Sequence, residues 1–166
     1  METHLFAMAQ SLGILCQSKK ITIALAESCT GGMLSTQITA VPGSSYWFVG
    51  SVVAYSNSAK MRFLQVSEDM MKEHGAVSES TAVAMVNGLL QTLPAEVALS
   101  VTGIAGPTGG SAEKPVGQVC FALINQRRIH DAAAKTLHFS GGRQHIRFSA
   151  CAFALQWLLD EVIGSD

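Results

Sequence analysis

The feature that most constrains the fold is a short apolar run, Ile21–Ala26, that leads directly into Glu27-Ser28-Cys29-Thr30-Gly31-Gly32. The β-branched residues of the run predict a buried strand, and the glycines predict a turn before a helix over 32–39. At such a turn the backbone N–H groups that follow the hydroxyl can hold an anion or a developing oxyanion. The pattern therefore predicts either an exposed catalytic hydroxyl at Ser28 or a plain glycine-rich turn in which Ser28 caps the helix.

The rest of the chain predicts alternating strands and helices. Apolar residues recur at helical spacing near the N-terminus (Leu5, Met8, Leu12 and Leu15) and again from Ile146 to Val162. Further strands are predicted over Phe48–Tyr55, Val97–Val101, Gly117–Ile124 and His130–Phe139, and further helices after Ser56, Ser67 and Ser78. The last two strands are expected to pair antiparallel. We therefore predict an α/β fold with a mixed sheet that is covered by helices on both faces.

Composition limits the classes of protein to consider. The 166 residues fit one domain spanning 1–166, and 48% hydrophobic against 14% charged residues predict a large core, enlarged by self-association into a homodimer or a higher homo-oligomer. A net charge of −1 gives no electrostatic footprint for nucleic acid or an anionic membrane. The apolar runs are too short to span a bilayer and the first residues lack the positive flank of a signal peptide, so we expect a cytoplasmic protein. The scattered cysteines predict reduced thiols rather than disulfides or a zinc site.

A second glycine-rich segment, from Thr102 to Gly110, follows the predicted strand that ends at Val101. Four glycines in nine residues allow the backbone to approach a ligand closely. The segment matches neither the dinucleotide-binding fingerprint nor a phosphate-binding P-loop. It is either a ligand-binding loop or a flexible turn.

A lysine is a candidate general base. If Ser56 caps the helix that follows Tyr55, Lys60 lies one turn inside it, near the positive end of the helix dipole. That position disfavours the ammonium form, and partial burial would add to the effect. The alternative is a surface lysine.

Two other charged residues have alternative interpretations. Arg143 follows Gly141-Gly142 just before the last helix, where it could bind a phosphate or remain solvated. Glu27, beside Ser28, either orients the turn or is a surface charge at the end of the strand.

Five motifs occur in an order that resembles one family. They are Ala26-Glu-Ser-Cys-Thr-Gly-Gly32, Tyr55-Ser-Asn with Lys60, His74-Gly-Ala-Val-Ser-Glu79, Thr102-Gly-Ile-Ala-Gly-Pro107 and Lys114-Pro-Val-Gly117. From about residue 5 to residue 162 the chain resembles the C-terminal domain family of the competence/damage-inducible protein CinA, which includes stand-alone nicotinamide-mononucleotide deamidases. The resemblance implies a three-layer α/β/α fold. It also implies an amidohydrolase that converts nicotinamide mononucleotide to nicotinic acid mononucleotide and ammonia, with no metal and no cofactor.

The resemblance also implies roles for individual residues. Ser28 matches the family's nucleophile, Lys60 its base and Tyr55 its tyrosine. The family's arginine falls on Arg143, with Arg147 one turn away as the alternative, although Gly142 stands where the family often has an acidic residue. The predicted substrate-binding residues are Thr30, Gly31, Gly32, Thr102, Gly103, Gly106 and Arg143.

The predicted chemistry is a serine–lysine acyl transfer. Lys60 accepts the proton of Ser28, backbone N–H groups near Thr30 and Gly31 hold the oxyanion, and water then releases the acyl group. Tyr55 would relay protons or position Lys60. Two alternatives remain open, namely a catalytically silent nucleotide-binding module and a hydrolase that uses Cys29 as its nucleophile.

Overall fold

The structure, a computed structural model, describes residues 2–165, which contain five strands and six α-helices. The strands are β1 (Ile23–Glu27), β2 (Phe48–Val53), β3 (Val97–Gly103), β4 (Gln118–Asn125) and β5 (Ile129–His138). The helices are α1 (Glu2–Lys19), α2 (Met33–Thr39), α3 (Asn57–Leu64), α4 (Glu68–His74), α5 (Glu79–Thr92) and α6 (Arg143–Ile163). No helix among these residues is long and apolar enough to cross a membrane.

The five strands form one mixed sheet in the order β2-β1-β3-β4-β5. Strand β1 runs parallel to both β2 and β3, and its last residue, Glu27, is in register with Val53 and with Val101. Strand β4 is antiparallel to β3, and β5 is antiparallel to β4, as the sequence predicted. Because β1, β2 and β3 end at one edge of the sheet, the segments that follow them lie close together.

Helices cover both faces of the sheet and bury two apolar cores. On one face, Leu25 packs with residues of α1, α2 and α6, and on the other Ala24 and Ala26 pack with residues of α3 and α5. Helices α3 and α5 approach so closely that a Cβ added to Gly88 would lie 1.8 Å from the carbonyl oxygen of Leu64. The predicted three-layer α/β/α fold is therefore confirmed.

Serine caps begin three of the helices, as predicted. The hydroxyls of Ser56, Ser67 and Ser78 accept hydrogen bonds from backbone N–H groups three residues ahead, each at 3.1 Å. Helix α2 differs, because Gly32 precedes it in a left-handed conformation without a side-chain cap, so Ser28 does not cap this helix. The strand predicted at Ile21–Ala26 is shifted to Ile23–Glu27, which places Ser28 immediately after its last residue.

Candidate active site

Ser28 and Lys60 form a buried hydrogen-bonded pair at the edge of the sheet where β1 ends. The backbone N–H of Ser28 donates to the carbonyl of Val101 at 3.0 Å, which fixes the serine against β3. Lys60 Nζ, from α3, donates to Ser28 Oγ at 2.8 Å. The side chains are 6% and 2% exposed, so Ser28 is far less open to solvent than the turn pattern predicted. The fold thus brings together the predicted nucleophile and the predicted base.

Burial changes the acidity of Lys60. Desolvation lowers the pKa of its ammonium group below the ordinary value, and the nearby Cys29 opposes this effect in part. Within the described residues, no carboxylate forms an ion pair with Lys60. A lysine that loses its proton more readily than usual, 2.8 Å from a serine hydroxyl, can accept the proton of that hydroxyl.

Cys29 lies beside this pair but has the properties of a packing residue. It is 7% exposed, and burial raises the pKa of its thiol to about 12. Its thiol therefore stays protonated at neutral pH, whereas the nucleophilic form of a cysteine is the thiolate. This argues against the alternative hydrolase that uses Cys29.

Glu27 holds the start of α2 and orients the turn. Its fully buried carboxylate accepts the backbone N–H groups of Gly32 at 3.0 Å, Leu34 at 3.2 Å and Ser35 at 2.8 Å, together with the Ser35 hydroxyl. The carboxylate thus satisfies N–H groups that a side-chain cap would otherwise satisfy, and its charge complements the helix dipole. Of the two interpretations given from the sequence, the structure supports the orienting one.

The turn itself leaves few backbone donors for an oxyanion. The N–H of Gly31 donates to the carbonyl of Ser28 at 3.0 Å, and the N–H of Gly32 is bound to Glu27. The N–H groups of Cys29 and Thr30 donate to no other residue in the part of the chain that the structure describes. The oxyanion donors are therefore expected at Cys29 and Thr30 rather than at Gly31, because the folded turn already uses the Gly31 N–H.

Arg143 links two of the predicted site residues. Its Nη1 donates to the carbonyl of Gly106 at 2.8 Å, and its Nη2 donates to the hydroxyl of Tyr55 at 2.6 Å. Tyr55 in turn lies over the turn, with its ring 3.8 Å from the position of a Cβ at Gly31. The tyrosine hydroxyl is hydrogen-bonded to Arg143. The contacts therefore indicate that Tyr55 positions this arginine, and they do not favour the predicted role of Tyr55 as a proton relay to Lys60.

Two residues that the sequence assigned to the ligand also have contacts within the fold. The hydroxyl of Thr102 donates to the carbonyl of Ala76 at 2.8 Å, and its side chain is 1% exposed. A Cβ at Gly103 would lie 2.8 Å from Val119 Cγ2, so this glycine allows β3 and β4 to pack. These contacts give both residues a role in the fold, and their assignment to the ligand stays a prediction.

Arg147 is a site residue whose role sequence analysis missed. Its Nε donates to the carbonyl of Cys29 at 3.2 Å, and its Nη2 donates to the carbonyl of Thr30 at 2.6 Å. It therefore binds the turn from α6, while Arg143 reaches the glycine loop and Tyr55. Spacing by four residues does indicate that the two arginines share one helix face, but not what either contacts.

Thr30 has a buried hydroxyl without a hydrogen-bond partner among the described residues. Its side chain is fully buried next to Ser28, so this hydroxyl is available to a polar group that enters the site. Across the described residues, no cluster of His, Cys, Asp and Glu side chains could hold a metal ion.

The sequence matches the family model of the CinA C-terminal domain over residues 5–162. The chain belongs to this family. It is 46% identical to a CinA-like protein of Citrifermentans bemidjiense, over 95% of the chain but only 39% of that relative. The chain thus spans about two fifths of that relative's length, and about a third of the CinA-like protein of Geobacter metallireducens.

Other relatives are of similar length to the chain. It is 44% identical to the nicotinamide-nucleotide amidohydrolase PncC of Enterobacter agglomerans, over 98% of both chains. It is 41% identical to the protein of that name from Escherichia coli K12, over 98% of this chain and 97% of the other. A crystal structure of the competence damage-inducible protein A (ComA) from Klebsiella pneumoniae superposes with a TM-score of 0.92 at 28% identity, covering 98% and 99% of the two chains. The resemblance inferred from the five motifs is confirmed.

Proposed function

We propose that this protein is a nicotinamide-nucleotide amidohydrolase that converts nicotinamide mononucleotide to nicotinic acid mononucleotide and ammonia, as a step in pyridine nucleotide recycling. The observation that carries the proposal is the buried pair in which Lys60 Nζ lies 2.8 Å from Ser28 Oγ. The full-length likeness to the amidohydrolases of Enterobacter agglomerans and Escherichia coli supports the choice of substrate.

The reaction begins with the transfer of a proton from Ser28 Oγ to neutral Lys60 Nζ. The serine oxygen then attacks the carboxamide carbon, and the negative charge that develops on the carboxamide oxygen faces the N–H groups of Cys29 and Thr30. As the C–N bond breaks, Lys60 returns the proton to the departing nitrogen, which leaves as ammonia. Water, deprotonated by Lys60, next attacks the acyl carbon. The bond between the acyl carbon and Ser28 Oγ then breaks, and Lys60 returns the proton to Ser28 Oγ, so that Ser28 and the pyridine carboxylic acid, which ionises, are released.

The phosphate of the nucleotide is expected to bind at Arg143. This arginine is exposed, and its guanidinium donates to two neutral acceptors, the carbonyl of Gly106 and the hydroxyl of Tyr55. A phosphate is a stronger acceptor than either and can take both donors in a bidentate arrangement. Gly106 and Tyr55 would then hold the empty site in the shape that the phosphate requires.

Self-association, predicted from composition, has a candidate surface at the edge strand β2. Three large apolar side chains are exposed on this strand or just before it, namely Tyr46 at 82%, Val49 at 40% and Val53 at 46%. An edge strand with such neighbours can pair with another copy of itself. We propose a cytoplasmic homodimer or higher homo-oligomer without nucleic-acid or membrane partners. Light scattering of the parent and of Val49→Lys tests this assembly, and a monomeric parent would refute it.

The activity is tested by incubating the purified protein with nicotinamide mononucleotide and measuring ammonia and the acid product. We expect stoichiometric formation of both products by the parent and none by Ser28→Ala. Binding of the nucleotide without turnover would instead identify the catalytically silent module. Turnover by Ser28→Ala that is lost in Cys29→Ala would transfer the nucleophile to the cysteine.

A further inference from the structure

Arg147, on the second turn of α6, is bound to the turn that carries the nucleophile. Its two hydrogen bonds to the carbonyls of Cys29 and Thr30, at 3.2 and 2.6 Å, are made by Nε and Nη2, which lie along one edge of the planar guanidinium group. Among the residues that the structure describes, no carboxylate forms an ion pair with it. The positive charge of this half-buried arginine is therefore directed at two peptide groups rather than neutralised by an acid.

The first of these peptide groups contains an expected oxyanion donor. The carbonyl of Cys29 and the N–H of Thr30 belong to the same planar peptide unit, in which the two groups point in opposite directions. A guanidinium on the oxygen side therefore leaves the N–H free on the other side. It also draws electron density toward the oxygen, which makes the N–H of Thr30 a stronger donor.

The second peptide group connects Arg147 to the other expected donor. The carbonyl of Thr30 shares its peptide unit with the N–H of Gly31, and that N–H donates to the carbonyl of Ser28 at 3.0 Å. The carbonyl of Ser28 in turn shares its peptide unit with the N–H of Cys29. Both expected oxyanion donors thus stand at the ends of hydrogen-bond chains that begin at Arg147, one directly and one through a single intervening peptide.

We propose that Arg147 is a positioning residue that fixes and polarises the peptide units of Cys29 and Thr30 so that their N–H groups stabilise the oxyanion formed at Ser28. This inference rests on the proposed amidohydrolase function and deepens it. It separates the two arginines of α6 by role, since Arg143 is expected to bind substrate and Arg147 to act on the transition state through the turn.

The test compares Arg147→Met, which keeps the length of the side chain without its donors, with Arg147→Lys, which keeps the charge but cannot bridge two carbonyls as a guanidinium does. Arg128→Met, at the opposite end of the sheet, is the matched control. Each variant is assayed with nicotinamide mononucleotide and with p-nitrophenyl acetate. The ester transfers its acetyl group to Ser28 Oγ, the serine proton passes to Lys60, and p-nitrophenolate leaves and is measured, while the acetylated chain is detected by mass.

For both Arg147 variants we expect kcat and the ester acylation rate to fall about 10- to 100-fold, somewhat less than the loss of a whole oxyanion donor causes. KM should change less than about threefold, because the polarised N–H groups act mainly on the developing charge. Methylguanidinium added to Arg147→Ala should restore part of both rates. A merely structural role of Arg147 predicts lower thermal stability with neither the kcat-against-KM split nor the rescue.

Several outcomes overturn the inference. The inference is overturned if both Arg147 variants have the kcat and the acylation rate of the parent. It is also overturned if the substitutions raise KM and leave kcat unchanged. If Arg147→Met does not fold, the rates of Arg147→Lys and the rescue of Arg147→Ala by methylguanidinium decide whether the inference holds. If the parent is acetylated at Ser28 but does not turn over the nucleotide, the proposed substrate is refuted. The role of Arg147 is then tested by the rates at which the ester acylates the parent and the Arg147 variants. A parent that the ester does not acetylate at all overturns the inference as well.

Discussion

Replacing Lys60 with methionine removes one buried amine and keeps a linear side chain of similar size in its place. Lys60 is 2% exposed and its Nζ lies 2.8 Å from Ser28 Oγ, so this change deletes the proposed base with little change in packing volume. Removal of a general base lowers rates by about 10²- to 10⁴-fold, which corresponds to about 3–5 kcal/mol of transition-state stabilisation. We expect a loss of kcat in this range for Lys60→Met and for Lys60→Arg, since arginine stays charged.

The same substitution should change how stability depends on pH. Burial lowers the pKa of Lys60 in the folded protein, whereas the unfolded chain has the ordinary value of 10.5. Between these two pKa values the unfolded state binds more protons, so the stability of the parent rises with pH across that window. Each unit by which the folded pKa is lowered contributes about 1.4 kcal/mol of destabilisation below the window, and this cost disappears as the pH approaches 10.5.

Urea denaturation of the parent and of Lys60→Met, measured from about pH 6 to pH 10, tests this reasoning. The stability of the parent relative to the variant should be lowest at the acid end and should improve as pH rises. The activity of the parent should rise with pH through one ionisation well below that of a free lysine, at the pH where the relative stability starts to improve. A pH-independent difference in stability, or a Lys60→Arg enzyme with near-parent turnover, would refute the assignment of Lys60 as a neutral base.

Three further changes test other parts of the site. Ser28→Ala should reduce turnover by about 10³-fold or more without altering the circular dichroism spectrum, whereas Cys29→Ala should retain most of it, and the opposite pattern would reverse the nucleophile. Arg143→Ala should raise KM for nicotinamide mononucleotide about 10- to 100-fold but hardly affect the riboside, and an equal effect on both would exclude phosphate recognition. Glu27→Gln should lower the free energy of unfolding by about 1–3 kcal/mol in urea titrations, because an amide presents a donor to N–H groups; an unchanged value would contradict the capping role.

The parts of the structure that could be predicted from sequence are those set by local patterns. The caps at Ser56, Ser67 and Ser78 depend on a hydroxyl and an N–H three residues ahead, and both lie within one short segment. Likewise, the antiparallel pairing of β4 and β5 follows from two apolar runs joined by a short turn.

The contacts that complete the site could not be predicted, because they depend on how distant segments meet. Glu27 binds N–H groups five to eight residues ahead, which is farther than a capping box reaches. The contact of Arg147 with the turn joins residues 117 and 118 positions apart. Gly103 shows the opposite difficulty, because a glycine permits close approach but does not indicate whether the neighbour is a ligand or, as here, a strand.

The turn after β1 is held by two opposite charges that divide its peptide groups between them. Glu27 binds N–H groups at the start of α2, and Arg147 binds the carbonyls of Cys29 and Thr30. Exchanging the two charges would be unfavourable, since a carboxylate cannot donate to a carbonyl and a guanidinium cannot accept from an N–H. What this arrangement leaves unused are the N–H groups directly after Ser28, so the fold orients them before any substrate arrives. Such fixed dipoles need no reorganisation as charge develops, which is why we expect the turn, as well as the serine–lysine pair, to determine the rate.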